Sequence, residues 1–197
     1  MRIASALLPA LLPGAVLAQT VCPTADDLDS GIRFTLATGE TEIFRRHESG
    51  LIEGLFDVGS GEVLRNLLGK GVYLLEASVL KDGVIDPASR LTYSYPLPPD
   101  SLPLPQPGGG WSVSVTLLEG TALSTEAQDY RFGAATVQGF GACSYAMIPI
   151  TVRYPGVEGG QRDVVHYLPD LGISYLAEYH DSETNDIYVY TQIEAMR

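Results

Sequence analysis

The stretch WSVSVTL alternates without a break: Trp111, Val113, Val115 and Leu117 fall on one side, Ser112, Ser114 and Thr116 on the other. A period of two is the pattern of a strand that presses one face against a core and shows the other to water. The pattern recurs along the chain. Phe34 and Leu36 alternate with Arg33 and Thr35, and Leu91, Tyr93 and Tyr95 with Arg90, Thr92 and Ser94. Tyr73, Leu75, Ala77 and Val79 share a side ahead of an Asp82-Gly83 turn, and Ile148, Ile150 and Val152 share another, where Pro149 marks an edge or a bulge. Residues 41–59 give two short strands about Ser49-Gly50, residues 162–181 a hairpin about Pro169 to Gly172, and residues 185–196 a last strand. One or two short helices are expected: Gly61 to Leu68, where Leu64, Leu67 and Leu68 stand at helical spacing, with Glu126 to Tyr130 as the second candidate. Strands with one wet face imply antiparallel pairing. The chain therefore reads as all-β: an antiparallel curved sheet, as half-barrel, barrel or sandwich, with one or two short helices.

The N-terminus carries Arg2, an apolar run from Ile3 to Leu17, and small residues at Val16-Leu17-Ala18. These are the parts of a cleavable secretory signal peptide over residues 1–18, and Pro9 and Pro13 oppose a helix there. Cys22 follows Val21, where a lipoprotein signal requires a smaller residue, so the lipid-attachment motif is absent. No second long apolar run follows, which leaves the mature chain without an integral membrane span. Export makes a disulfide the expected state of Cys22 and Cys143, the two cysteines. The alternative, a Cys143 thiol nucleophile, requires a histidine beside it, from His47, His166 or His180.

That pairing bears on the stretch from Tyr95 to Trp111, which holds six prolines and then Gly108-Gly109-Gly110. As a hinge it would divide the chain into halves that a Cys22–Cys143 bond ties together. As a loop it fits one β-rich domain over residues 19–197, with 96–110 a long surface connection between two strands of one sheet system. Loops of this length often serve function, so 96–110 is a candidate lip over a binding surface.

The formal net charge is −12, and the acid is spread along the chain. With no basic stripe, neither nucleic acid nor an anionic lipid surface is an expected partner. Phosphate loops, nucleophile elbows, paired-histidine zinc motifs and dinucleotide fingerprints are all missing, so no catalytic residue, metal or cofactor is assigned. Three weaker groupings remain. Seven of the eleven tyrosines lie beyond residue 144; Tyr175 and Tyr179 are expected on one strand face, and Tyr188 and Tyr190 on another. With Trp111 and Tyr167 they could form an aromatic ligand platform; cross-strand packing accounts for the same pattern. Asp181, Glu183, Asn185 and Asp186 offer oxygen ligands but read more simply as a polar hairpin turn. His166 and His180 are candidates to face each other across a hairpin, which is too few ligands for a closed zinc site.

The stretch VVHYLPDLGISYLAEYHD, a strand ending in Tyr-x-Pro, an acidic residue, Leu-Gly and a second strand, resembles one found in uncharacterised exported β-proteins of proteobacteria. Those proteins are similar to half-barrel carriers of the lipoprotein-localisation type. The resemblance implies a curved sheet that binds and does not catalyse. The expected function is a non-catalytic periplasmic binding or carrier/chaperone-like protein, with an apolar ligand such as a lipid, or an envelope protein, as partner. The alternatives are a small periplasmic hydrolase built on His166 or His180 with Asp181 or Asp170, and a structural subunit of an envelope complex.

Overall fold

A computed structural model describes residues 21–57, 59, 61–157 and 159–197; the signal peptide expected at 1–18 lies outside them. The alternating segments form strands β1 (Ile32–Leu36), β2 (Thr41–Arg46), β3 (Ile52–Asp57), β4 (Glu62–Gly69), β5 (Tyr73–Lys81), β6 (Val84–Ile85), β7 (Leu91–Ser94) and β8 (Gly110–Glu119). They continue with β9 (Ala122–Phe132), β10 (Thr136–Phe140), β11 (Cys143–Arg153), β12 (Arg162–Leu168), β13 (Ile173–His180), β14 (Asn185–Ile187) and β15 (Tyr190–Ala195). All belong to one antiparallel sheet, ordered β14-β13-β12-β11-β9-β8-β7-β5-β4-β3-β2-β1-β15, with β10 on β11 and β6 on β5. The sheet curves but does not close into a barrel. Its two end strands are successive in the chain: the Tyr188 amide donates to Ala177, and the Val189 carbonyl accepts from Ala37. The polypeptide thus steps from one end of the path to the other.

Neither expected helix forms. Residues 62–69 are β4, laddered to both β3 and β5, and residues 126–130 lie within β9, paired along its length with β8. Helical spacing of three leucines is outweighed where a strand on each side offers ladder hydrogen bonds to the backbone. The helical turns among the described residues are short 3-10 pieces at Ala25–Asp29, Pro87–Ser89 and Pro99–Ser101.

Two cores lie against the sheet. The first gathers Phe34, Phe44, Phe140, Leu168 and Ile173; the second gathers Tyr73, Leu102, Tyr130, Ile150 and Val152. Strand β11 passes between them. Its odd residues Cys143, Tyr145 and Met147 are buried in the first core and its even residues Ile148, Ile150 and Val152 in the second. Pro149 stands at that change of phase. One side of β11 pairs with β10 up to Met147 and with β9 from Ile150 onward, so the missing amide falls at the seam between two partners.

Strands β7 and β8 pair directly, from Leu91↔Glu119 to Ser94↔Thr116, so 96–110 connects adjacent strands. The loop is anchored. Leu102 is 3 % exposed within the second core, and the Tyr73 hydroxyl donates to the Pro103 carbonyl at 2.7 Å. A Cβ at Gly69 would stand 2.8 Å from Leu102 Cδ1, so the loop seats against bare backbone.

The Cys22–Cys143 disulfide is formed, with Cα atoms 5.5 Å apart, and Cys143 is buried in the first core. The Tyr145 hydroxyl donates to the Pro23 carbonyl beside it. A buried disulfide suits an oxidising compartment. Among the described residues no helix is long and apolar enough to cross a membrane.

On the outer face, charges of alternating sign step across four strands. Glu53 of β3 accepts from Arg45 of β2 and from Arg65 of β4, each at 2.6 Å; Arg65 reaches Glu76 of β5 at 2.8 Å; Arg90 meets Glu76 at 3.5 Å. Burial alone would raise the Glu53 carboxyl, but the two guanidiniums outweigh it and hold it below the usual carboxylate range.

Candidate functional site

Behind these charges, the inner face lines a half-open cavity of about 350 Å³ where the two cores meet. Alternation builds it. Glu42 and Phe44 on β2, Asn66 and Leu68 on β4, Glu126, Gln128 and Tyr130 on β9, and Asp163 and Val165 on β12 are each two apart and point the same way. Tyr93 and Tyr95 enter from β7 and the residue after it, and Tyr154 from just beyond β11. Five of the eleven tyrosines therefore line the cavity: Tyr93, Tyr95, Tyr130, Tyr154 and Tyr175.

The polar groups form three sets. In the first, Tyr95 and Tyr130 donate to Gln128 Oε1 at 3.0 and 2.7 Å, and Gln128 Nε2 donates to Glu126 at 2.7 Å. In the second, the Tyr154 hydroxyl donates to Asp163 Oδ2 at 2.5 Å, while the buried Oδ1 has no hydrogen-bond partner among the described residues. In the third, Tyr190 donates to Glu42 Oε2 at 2.6 Å. Burial pushes the Glu42 carboxyl up to about 7, against the hydrogen bond from Tyr190. Burial likewise raises Asp163, opposed by the Tyr154 and Gln161 side chains, and holds the Tyr95, Tyr130 and Tyr154 hydroxyls in their protonated, donating form. No lysine, arginine or histidine is among the described side chains that line the cavity.

The six aromatic residues singled out in the sequence fall in different places. Tyr175 lines the cavity. Tyr190 stands behind its wall, its ring 4.5 Å from that of Tyr175 and its hydroxyl on Glu42. Trp111 stacks against Tyr95 and Tyr130 at 6.0 and 6.1 Å and meets the Tyr73 ring edge-on, so it buttresses two lining residues. Tyr167 lines a separate surface groove with Leu51, Ile52, Pro99 and Leu104, for which the 96–110 loop supplies one wall. Tyr188 packs edge-on against Phe56, and Tyr179 donates to Asp181. Tyr175 and Tyr179 do not share a face. A bulge at Ala177 sets Tyr175 opposite His166 and Tyr179 opposite Asp163, positions of opposite sense on β12. Tyr188 precedes β15, so it shares no strand face with Tyr190.

His166 and His180 do not meet either. The β12–β13 register pairs His180 with Arg162 and His166 with Tyr175. His180 Nε2 lies 2.7 Å from Glu178, and His166 Nδ1 lies 3.0 Å from the Tyr175 hydroxyl. Asp181 Oδ1 accepts from the amides of Glu183 and Thr184, which makes 181–184 a polar turn; among the described residues no group of three or more metal-ligating side chains forms.

Sequence reading missed Glu42, Gln128, Tyr130 and Asp163, and of these only the β9 pair carried a usable signal. Glu126, Gln128 and Tyr130 share a face only at a period of two, and reading the segment as helix separated Gln128 from its neighbours. No family model, no curated protein and no solved structure matches this chain.

Proposed function

We propose that the protein is an exported, non-catalytic binding protein of the periplasm that holds a small ligand in the tyrosine-lined concavity of its sheet. The observation that carries this reading is the cavity itself: about 350 Å³, set between two packed cores, with hydroxyl, carboxyl and amide groups converging among apolar side chains. Pockets of roughly 300–1,000 Å³ with a few placed polar groups are the usual form of a small-molecule site. The buried disulfide supports export. Of the histidines of the hydrolase alternative, His166 bonds the lining residue Tyr175 and His180 bonds Glu178; neither is itself among the described side chains that line the cavity, and both cysteines are bonded. A lipid acyl chain suits this lining poorly, because it would strip water from Glu42, Gln128 and Asp163 and give no hydrogen bond in return.

Native mass spectrometry of the protein purified from the periplasm tests the proposal. A bound compound of small mass is expected, lost when Tyr130→Ala opens the wall. A protein that carries nothing, and whose melting temperature no small molecule raises, refutes it.

A further inference from the structure

We infer that the ligand is an organic cation, a protonated amine on an apolar or aromatic body; this rests on the binding reading above and adds the chemistry of what is bound. Glu42 is 7 % exposed and lines the cavity, yet its one hydrogen bond comes from Tyr190 to Oε2, and Oε1 has no hydrogen-bond partner among the described residues. At another wall the buried Asp163 Oδ1 makes no hydrogen bond of good geometry, and Gln161, a side chain close enough to lower the Asp163 carboxyl, is neutral. Glu126, a third carboxyl, receives its bond from the neutral Gln128.

The outer face of the same sheet shows the contrast. Glu53, equally buried, is held between two guanidiniums. Glu53 on the outer face is matched by cations, and the acids of the cavity share its lining with no lysine, arginine or histidine among the described side chains. A carboxylate removed from water with no cation beside it is costly. An ammonium ligand supplies the missing charge together with the N–H donors that Glu42 Oε1 and Asp163 Oδ1 lack. Tyr93, Tyr95, Tyr130 and Tyr175 add aromatic surface for the body of the ligand and for attraction to its charge. A neutral polyol would satisfy the hydrogen bonds and leave the charge uncompensated. An anion would be repelled.

The test is calorimetric titration of the purified protein at low salt and about pH 8, above the value near 7 at which Glu42 ionises. The probes are phenethylamine and phenethyl alcohol, which share a body and differ in charge. The amine is expected to bind about tenfold more tightly than the alcohol, a difference of one decade in Kd. Glu42→Gln and Asp163→Asn, which are close in shape to the parent side chains, are each expected to weaken the amine about fivefold or more and the alcohol by less, so that the preference for the amine shrinks. Equal affinity for the two probes, or amine affinity untouched by both substitutions, overturns the inference. A neutral or anionic compound recovered from the native protein also overturns it but leaves the binding reading intact. No bound compound, with no response to either probe, overturns both.

Discussion

Glu42 shows how one side chain couples burial to proton binding. Its carboxyl stands near 7 in the folded protein against an ordinary value of 4.5, so between those values the folded chain holds a proton that the unfolded chain has lost. The stabilising contribution is complete below about 4.5 and falls as pH rises to about 7, by up to ~3 kcal/mol. Asp163, also raised by burial, acts with the same sign; His166, lowered by burial, acts with the opposite one. Glu42→Gln keeps an acceptor for Tyr190 and cannot ionise. Urea unfolding at about pH 5 and about pH 8 is therefore expected to show less loss of stability with rising pH in the variant than in the parent. The same loss in both proteins would mean that Glu42 is solvated. The residues most visible in the sequence, Trp111 and the late tyrosines, proved to be largely supports, because an aromatic ring signals burial without saying on which side of the wall it lies.

At the scale of elements, most strands were legible, but β4 and part of β9 read as helix, β10 went unread, and strand neighbours were not legible. The hairpin turns at Ser49-Gly50, Asp82-Gly83 and Pro169 to Gly172 were each marked by turn chemistry. The β4 leucines misled because Leu64 and Leu68 share a face in a strand as well as in a helix. Bulges were invisible too: one at Leu75 breaks the expected run from Tyr73 to Val79, and Leu74 lines the cavity in its place. Two predictions belong here. Leu102→Ala is expected to cost roughly 2–4 kcal/mol and to expose the 96–110 loop to protease, since this side chain is the loop's anchor in the second core. Limited proteolysis beside a thermal melt checks both effects. Arg65→Met is expected to cost about 3–5 kcal/mol by leaving the buried Glu53 with one guanidinium, and the double variant Arg65→Met/Glu53→Leu is expected to recover most of it. A double variant as unstable as the single one would show that packing, not charge, is what Arg65 contributes.

At the scale of the molecule, the sheet is an open path held in its curve by contacts distant in sequence. The disulfide spans 121 residues, and the Ser174 hydroxyl bonds the Gly71 carbonyl across 103. The two turns near that bond touch so closely that a Cβ at Gly71 would stand 2.0 Å from the Gly172 carbonyl oxygen. Breaking the disulfide releases entropy in the unfolded chain, so Cys22→Ser/Cys143→Ser is expected to lower stability by about 2–5 kcal/mol. For a chain of this length that is a fall in melting temperature of roughly 10 °C, read by circular dichroism with and without reductant. A parent protein whose melt ignores reductant would show that the bond adds nothing to the fold.

The sequence alone determined that this chain is pleated, antiparallel and joined at its two cysteines, because alternation, turn residues and thiol count are local properties that each segment carries with it. Tertiary structure alone decided that Glu42, Gln128 and Asp163, on three strands far apart in the chain, face one cavity with Tyr130 and Tyr154. Register and curvature set which inward positions converge, and both depend on where every other strand has already paired.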